Sequence, residues 1–507
     1  MAKSKLRIGV VLNYVNMGLG NLIPLFYTPI MLALLGQDEY GLYRLSSSIT
    51  GYLGLLSMGL GTAVTQYLIK ARIKGGGEAE SRMLGLFVLL FRSIAVLTLV
   101  VGIVLALNVD RWYATSLSTE ELSRMKVLSV IMVVNMALSF SVAPYLSIVT
   151  AREEYVFYQL MNIMTTCVAP GVNLVALYMG YASIGLAVSS LAVALSVRII
   201  YMLYVRYSLH IRASYKHLPT QSLREIFNFS FWVFIGNIVD QLYNATDTLM
   251  IGARPELAIK GVAVYSIGTV FSGMALSITA GISSLLMPRT ARMVHEGVSA
   301  RDLTDFAVRV GRLQTYLITT ILTVFFLFGK PFIHFYLGNG YEEAYWIALV
   351  VMAPLVIPLA QSACLSILVA KSMHKYRAIM LLLIAVMNVF GTWLALPYMG
   401  ILGAAVVTGI SLIIGNGLVM NWFYKTKTDL DLGYFWTKIS KCYAVPILLC
   451  LATILIINKV DLYRLFNLVV AVILFLLFLF LGQYRFAFNE YEKEIFMSPL
   501  RKLFHQK

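Results

Sequence analysis

Stretches of about twenty consecutive apolar residues recur from one end of the chain to the other, separated by short polar segments. They fall at 9–35, 42–68, 84–107, 127–150, 156–178 and 184–205, then at 226–251, 262–287, 311–336, 345–369, 378–397 and 401–423, and finally at 440–457 and 465–482. A helix needs roughly 20 such residues to cross the hydrocarbon of a bilayer. The pattern predicts an all-α polytopic membrane protein with about fourteen transmembrane helices. The first segment follows Lys3, Lys5 and Arg7, as a signal peptide would, but it is too long for an h-region, carries Pro24 and Pro29 and lacks a small-residue cleavage site. It is therefore read as a helix.

The first twelve segments contain a repeat. Leu146-Ser147-Ile148 and Ala151-Arg152 recur as Leu365-Ser366-Ile367 and Ala370-Lys371, and Tyr178-Met179-Gly180 recurs as Tyr398-Met399-Gly400. Each of the latter is followed by a glycine-containing restart, Ile184-Gly185-Leu186-Ala187 and Leu402-Gly403-Ala404-Ala405. Tyr43, Gly59 and Lys70 match Tyr265, Gly281 and Arg292. The offsets stay between 219 and 222 residues. A repeat of six helices is even, so both copies enter the membrane from the same side. The expected organisation is two pseudo-symmetric six-helix lobes, 1–206 and 207–424, two additional helices within 425–482, and a cytoplasmic tail, 483–507. Facing lobes of this kind enclose the cavity of an alternating-access transporter.

Composition agrees with this class: 59% of residues are hydrophobic, 13% are charged, and mean hydropathy is +0.80. A soluble domain carries nearer ~25% charged residues. The net charge of +16 could be taken as a nucleic-acid signal, but its placement points to membrane topology. With the amino terminus inside, the inner loops and tails hold 30 Lys and Arg against 13 Asp and Glu, and the outer loops hold 9 of each. That asymmetry is the positive-inside pattern and puts both termini in the cytoplasm. No separate basic domain exists for nucleic acid, and the remaining expected contact is with membrane lipid.

The loops leave no room for a soluble catalytic domain, and no GxxxxGK[ST] phosphate loop occurs. Asp429-Leu430-Asp431 mimics a DxD metal motif in a loop too short for a glycosyltransferase. His334 has no metal-ligand partner at helical spacing, and the Asn244-Ala245-Thr246 sequon lies inside a helix. Cys167, Cys364, Cys442 and Cys450 are far apart and read as buried thiols rather than a disulfide framework. The expectation is a protein that is not an enzyme and holds no cofactor.

Leu35-Gly36 with Tyr40-Gly41-Leu42-Tyr43, Asp247-Thr248-Leu249-Met250-Ile251-Gly252, Val262-Ala263-Val264-Tyr265 and the glycine-containing starts of helices six and twelve carry a family resemblance. With the segment order, they resemble the polysaccharide flippases of the multidrug/oligosaccharidyl-lipid/polysaccharide (MOP) exporter superfamily, in its Wzx-like branch. The resemblance spans the whole chain. It implies translocation of undecaprenyl-pyrophosphate-linked glycan units across the bacterial cytoplasmic membrane, with a polysaccharide polymerase and glycosyltransferases as partners. A drug antiporter of the MATE branch is the alternative, and a membrane enzyme of polysaccharide modification the third reading.

Helix seven carries Asn237, Asp240, Asn244 and Asp247 on one face. They line a cavity or make polar helix contacts. Asn13, Asn16 and Gly20 form a weaker echo on helix one, as expected if helices one and seven face each other. Counting the helical rise puts Asp240, Asn388, Thr392 and Thr408 at one depth, a set of oxygens suited to Na⁺; Asp240 would equally serve H⁺. Asp247 is placed near the outer interface, where it is more easily hydrated. Thr392 stands where the lipid II branch favours a second acid, and the basic residues that branch uses inside helices one, two and eight have no counterparts here. Arg92, read as the sole basic residue inside a helix body, either snorkels or pairs with a diphosphate. Arg44 at the outer mouth, and Arg152, Arg289, Arg292 and Lys371 at the inner mouth with Lys70 and Arg72, are pyrophosphate candidates. Topology alone is the competing explanation for them.

Overall fold

The computed structural model describes residues 2–371 and 373–495, and every regular element among them is helical. The rods are α1 (Ala2–Leu35), α2 (37–74), α3 (77–107), α4 (Thr119–Ala151), α5 (Tyr155–Tyr178), α6 (Ala182–Leu203) and α7 (Leu223–Gly252). After these come α8 (Ala258–His295), α9 (Ala300–Leu337), α10 (343–370), α11 (374–399), α12 (401–427), α13 (432–457) and α14 (Leu465–Gly482). Eleven helical stretches among the described residues are long and apolar enough to cross a membrane. Two of them, Gln37–Leu107 and Arg377–Lys427, each join two rods, and α7 adds a 30-residue rod whose polar side chains lower its hydropathy. The arrangement is consistent with the expected fourteen.

Glycine makes the breaks inside those long stretches. Gly76 has φ 66° and Gly400 has φ 56°, where a Cβ is disfavoured. A straight 48-residue helix from Leu60 to Leu107 would extend about 70 Å. Instead Val64 and Leu68 of α2 share one buried core with Leu84, Phe87 and Phe91 of α3, so the chain folds back. Polar caps start other rods. Ser118 and Glu121 form a reciprocal capping box at α4, and the Ser299 hydroxyl accepts from the Asp302 amide at α9.

The repeat is visible in the backbone. Gly180 (φ 82°) pairs with Gly400, Gly76 with Gly297 (φ 68°), and Gly36 (φ 79°) with Ala258 (φ 42°), at the same offsets as the sequence matches. Left-handed residues at corresponding positions mean that both halves turn their helices at the same places.

Packing groups the chain into two units. The first holds the residues up to Ser266 together with Leu381–Leu396, and the second holds Ile267–Met380 and the residues from Pro397 onward. Packing thus places α7 and the body of α11 with the first six rods, a different partition from the one the repeat implies. In the first unit, Phe87, Phe91, Ile148, Tyr201 and Ile226 belong to one core. In the second, Phe306 of α9, Cys364 of α10, Phe423 of α12 and Phe435 of α13 form one core, and α9, α13 and α14 meet in another through Phe328, Cys450 and Phe475. Phe466, Leu474 and Phe478 of α14 remain exposed, as befits a surface turned to lipid. Cys364, Cys442 and Cys450 are buried thiols, whereas Cys167 is exposed on α5. An apolar helix face turned to lipid is indistinguishable by composition from one turned to protein.

Candidate functional site

The polar face of α7 meets its partners at its last two turns. Asp247 is 1% exposed. Its carboxylate accepts a hydrogen bond from the Tyr265 hydroxyl at 2.5 Å and from the Thr392 hydroxyl at 3.1 Å. At the preceding residue of α7, the hydroxyls of Thr246 and Tyr52 of α2 hydrogen-bond to each other. The end of α7, the start of α8 and the body of α11, all in the first unit, hold the Asp247 carboxylate, and Tyr52 of α2 packs beside it. Gly41 admits α8 at close range, because a Cβ there would lie 2.3 Å from the Ile259 carbonyl oxygen. The Tyr40-Gly41-Leu42-Tyr43 segment therefore has a packing role.

This geometry corrects the reading that joined Thr392 to Asp240. Thr392 donates to Asp247, and Asp240 is an exposed residue on α7. Asp247 is also not the easily hydrated member of the pair. The two aspartates lie seven residues apart and so on nearly the same side of the helix. Periodicity could not separate them; the arrival of Tyr265 and Thr392 at one level does. Asn388, one turn before Thr392 on α11, is buried as well. Thr408 is buried on α12 in the second unit. Asn237 is half-buried on α7, and the side chain of Asn244 lies outside the described residues.

The echo on α1 has a different partner from the one expected. Gln159 and Thr166 of α5 donate to the side-chain oxygens of Asn13 and Asn16, at 3.0 and 3.2 Å.

The pyrophosphate candidates separate into engaged and exposed groups. Arg152 forms a bidentate pair with Glu80, whose carboxylate is buried beneath it. Lys371, at the corresponding place in the repeat, donates to the Thr428 carbonyl oxygen at 3.0 Å. Both positions therefore anchor local structure, and neither cation projects freely into solvent. Glu80 escaped the sequence reading because nothing along the chain distinguishes it from Glu78, two residues earlier and exposed. Arg289 lies over the Phe306 ring at 5.4 Å, and Arg292 is exposed. Arg44 is half-buried on α2 and its Nε makes no hydrogen bond among the described residues. Arg92 is exposed on α3. It is not the sole basic residue in a helix body: Arg198, within α6, donates to the Asn135 side-chain oxygen at 2.8 Å and to the Ser139 hydroxyl.

Tyr265 is the functional candidate missed from sequence. It lies within a quoted motif and matches Tyr43 in the repeat, but only the α7–α8 hairpin shows its hydroxyl meeting Asp247. Asp431 of the DxD-like triplet caps α13 by accepting from the Tyr434 amide at 2.9 Å, so its carboxylate has a structural task. Among the described residues, no group of three or more His, Cys, Asp or Glu side chains is placed to hold a metal.

Known structures share this fold. The lipid II flippase MurJ in an inward closed conformation matches with a TM-score of 0.71 at 14% identity, covering 97% of this chain and 99% of that one. An inward-facing multidrug-resistance MATE transporter of the MOP superfamily gives 0.61 at 13% identity, covering 84% and 100%. A mutant of the Vibrio cholerae MATE transporter VcmN gives 0.61 at 16%, covering 85% and 99%. No curated protein sequence matches the chain significantly. Residues 30–346, more than half of the chain, match the family model described as polysaccharide biosynthesis protein, and this multi-pass membrane protein with a MOP-superfamily fold belongs to that family.

Proposed function

We propose that this protein translocates undecaprenyl-pyrophosphate-linked glycan units across the bacterial cytoplasmic membrane by ion-coupled alternating access, as a transporter rather than an enzyme. The observation that carries the reading is the combination of the polysaccharide-biosynthesis family match with near-complete coverage by a lipid II flippase fold. The MATE structures cover about 85% of the chain, and the fuller coverage favours the lipid-substrate branch. Both termini face the cytoplasm in this proposal, on the strength of the basic-residue asymmetry.

Coupling is assigned to Asp247, Tyr265 and Thr392. A carboxylate and a hydroxyl 3.1 Å apart are two hard oxygens of the kind that Na⁺ takes. A carboxylate buried on a membrane helix is also the group most responsive to a proton. Occupancy shifts the balance of two conformations only through its different affinity for each.

The test is reconstitution of the purified chain into proteoliposomes loaded with an undecaprenyl-pyrophosphate-linked oligosaccharide. Chain-dependent appearance of the sugar in the opposite leaflet, accelerated by a Na⁺ or H⁺ gradient, is expected. Gradient-driven movement of small organic cations with no glycan movement would replace the proposal with the antiporter reading.

A further inference from the structure

A second polar cluster lies in the second unit, and nothing in the transport reading uses it. Arg312 of α9 is 7% exposed and forms a bidentate pair with Glu492, at 2.6 and 2.9 Å. The same guanidinium donates to the carbonyl oxygens of Lys438 and Ala487 and to the Tyr316 hydroxyl. These bonds tie the segment after α14 to α9 and α13. Beside them is a cavity of about 540 Å³, within the roughly 300–1,000 Å³ range of small-molecule sites.

The charge on its wall is unbalanced. Arg312 is matched by Glu492, but Arg309, Lys438 and Lys441 also line the cavity and form no salt bridge among the described residues. Arg309 lies over the Tyr491 ring at 5.6 Å and Lys438 over the Tyr434 ring at 5.2 Å, contacts that leave their N–H donors available. Asp305, the one acid lining the cavity among the described residues, hydrogen-bonds with Tyr434.

Apolar surface adjoins the basic wall. Phe486 directly precedes Ala487 of the wall, Leu481 lies about two helical turns before it, and Ile447 and Leu448 lie about two turns beyond Lys441 on α13; all four are exposed. A basic cavity bordered by lipid-facing side chains matches a ligand with an anionic head and an apolar tail.

We propose that Arg309, Lys438 and Lys441 form a binding site for a phosphate ester, and that the adjoining apolar side chains select the headgroup of an anionic phospholipid over free phosphate. The ligand would bridge α9, α13 and the segment after α14, adding to the Arg312–Glu492 connection. The proposal stands apart from the transported substrate and from the coupling cluster.

The test measures thermal unfolding of the purified full chain during titration with short-chain phosphatidylglycerol, inorganic phosphate or short-chain phosphatidylcholine. Phosphatidylglycerol should raise Tm saturably, and phosphatidylcholine should not. Each cation removed should weaken half-saturation about fivefold, the value of one basic side chain near an anionic surface. The variant Arg309→Gln/Lys438→Gln/Lys441→Gln should therefore bind on the order of 100-fold more weakly, while Lys425→Gln/Lys427→Gln, outside the cavity, keeps the wild-type response. Lys441→Gln alone, at an exposed position, serves if the triple variant does not fold. Phosphate matching phosphatidylglycerol mole for mole would keep the anion site and overturn its assignment to lipid. A response unchanged in the cavity variants, equally reduced in the Lys425/Lys427 pair, or absent with both anions would overturn the site.

Discussion

Asp247 in the first unit and Glu492 in the second are each 1% exposed, yet they are held by different chemistry. Glu492 faces a guanidinium through two hydrogen bonds, whereas Asp247 accepts from the hydroxyls of a tyrosine and a threonine. A guanidinium only donates and keeps its charge, so it fixes its partner as a carboxylate. A hydroxyl donates to a carboxylate or accepts from a carboxylic acid by rotating its proton. The Arg312–Glu492 pair is thus suited to holding a segment in place, and the Asp247 cluster to changing its state of charge. Burial alone does not distinguish a clamp from a coupling group; the partner's chemistry does.

The largest expected effect breaks the clamp. Glu492→Ala leaves a buried guanidinium without its countercharge and should cost about 3–5 kcal/mol, seen as a large drop in Tm and in folded yield. Arg312→Met/Glu492→Leu should recover much of that loss, because no lone charge remains. Equal instability of single and double variants would mean that the cluster matters for shape rather than charge.

Next comes the contrast within α7. Asp247→Asn should abolish the response of glycan translocation to the ion gradient while Tm stays near wild type, and Asp240→Asn should leave that response in place. The opposite outcome in reconstituted vesicles would return the coupling role to Asp240.

A smaller step sharpens the same cluster. Thr392→Ala removes one hydrogen bond to a charged group, worth about 1.5–3 kcal/mol, and should reduce apparent ion affinity in the transport assay without eliminating coupling. Tyr265→Phe should act in the same direction. If both leave ion dependence untouched, the hydroxyls are packing groups only.

The smallest effect belongs to Lys70 and Glu225, an exposed pair at 2.9 Å where α2 approaches the start of α7. The Lys70 ammonium holds the Glu225 carboxyl below its ordinary range, and Glu225 in turn raises Lys70. The contribution from Glu225 is therefore complete above about pH 4.3 and disappears as acid takes the pH down through the lowered value. Lys70→Gln should shift Tm slightly at neutral pH, and that difference should vanish in acid. Exposed pairs stabilise little, so a large shift would show that this contact controls more than its own surface.

Much of the architecture was legible because a bilayer imposes a one-dimensional constraint. Each apolar run must be long enough to span, and every backbone group within it must be satisfied by a helix. The repeat was legible through Tyr178-Met179-Gly180 and Tyr398-Met399-Gly400, since glycine marks a backbone conformation directly. The polar face of α7 was also readable, because side chains seven residues apart share a side.

Which acid on that face is buried was decided only in three dimensions. Asp240 and Asp247 are equivalent by spacing, but Tyr265 and Thr392 arrive from 18 and 145 residues away to meet the second of them. The same holds for Arg152, whose countercharge Glu80 lies 72 residues earlier in the chain. It holds too for Arg312, whose partner Glu492 follows 180 residues later. The helices, their breaks and the class of molecule follow from the order of residues alone, because they depend on local backbone chemistry and on the solvent around each rod. Which charges are clamped, which acid meets hydroxyls and which cations face a cavity emerges from the folded arrangement, because electrostatic pairing depends on distance in space and is indifferent to distance along the chain.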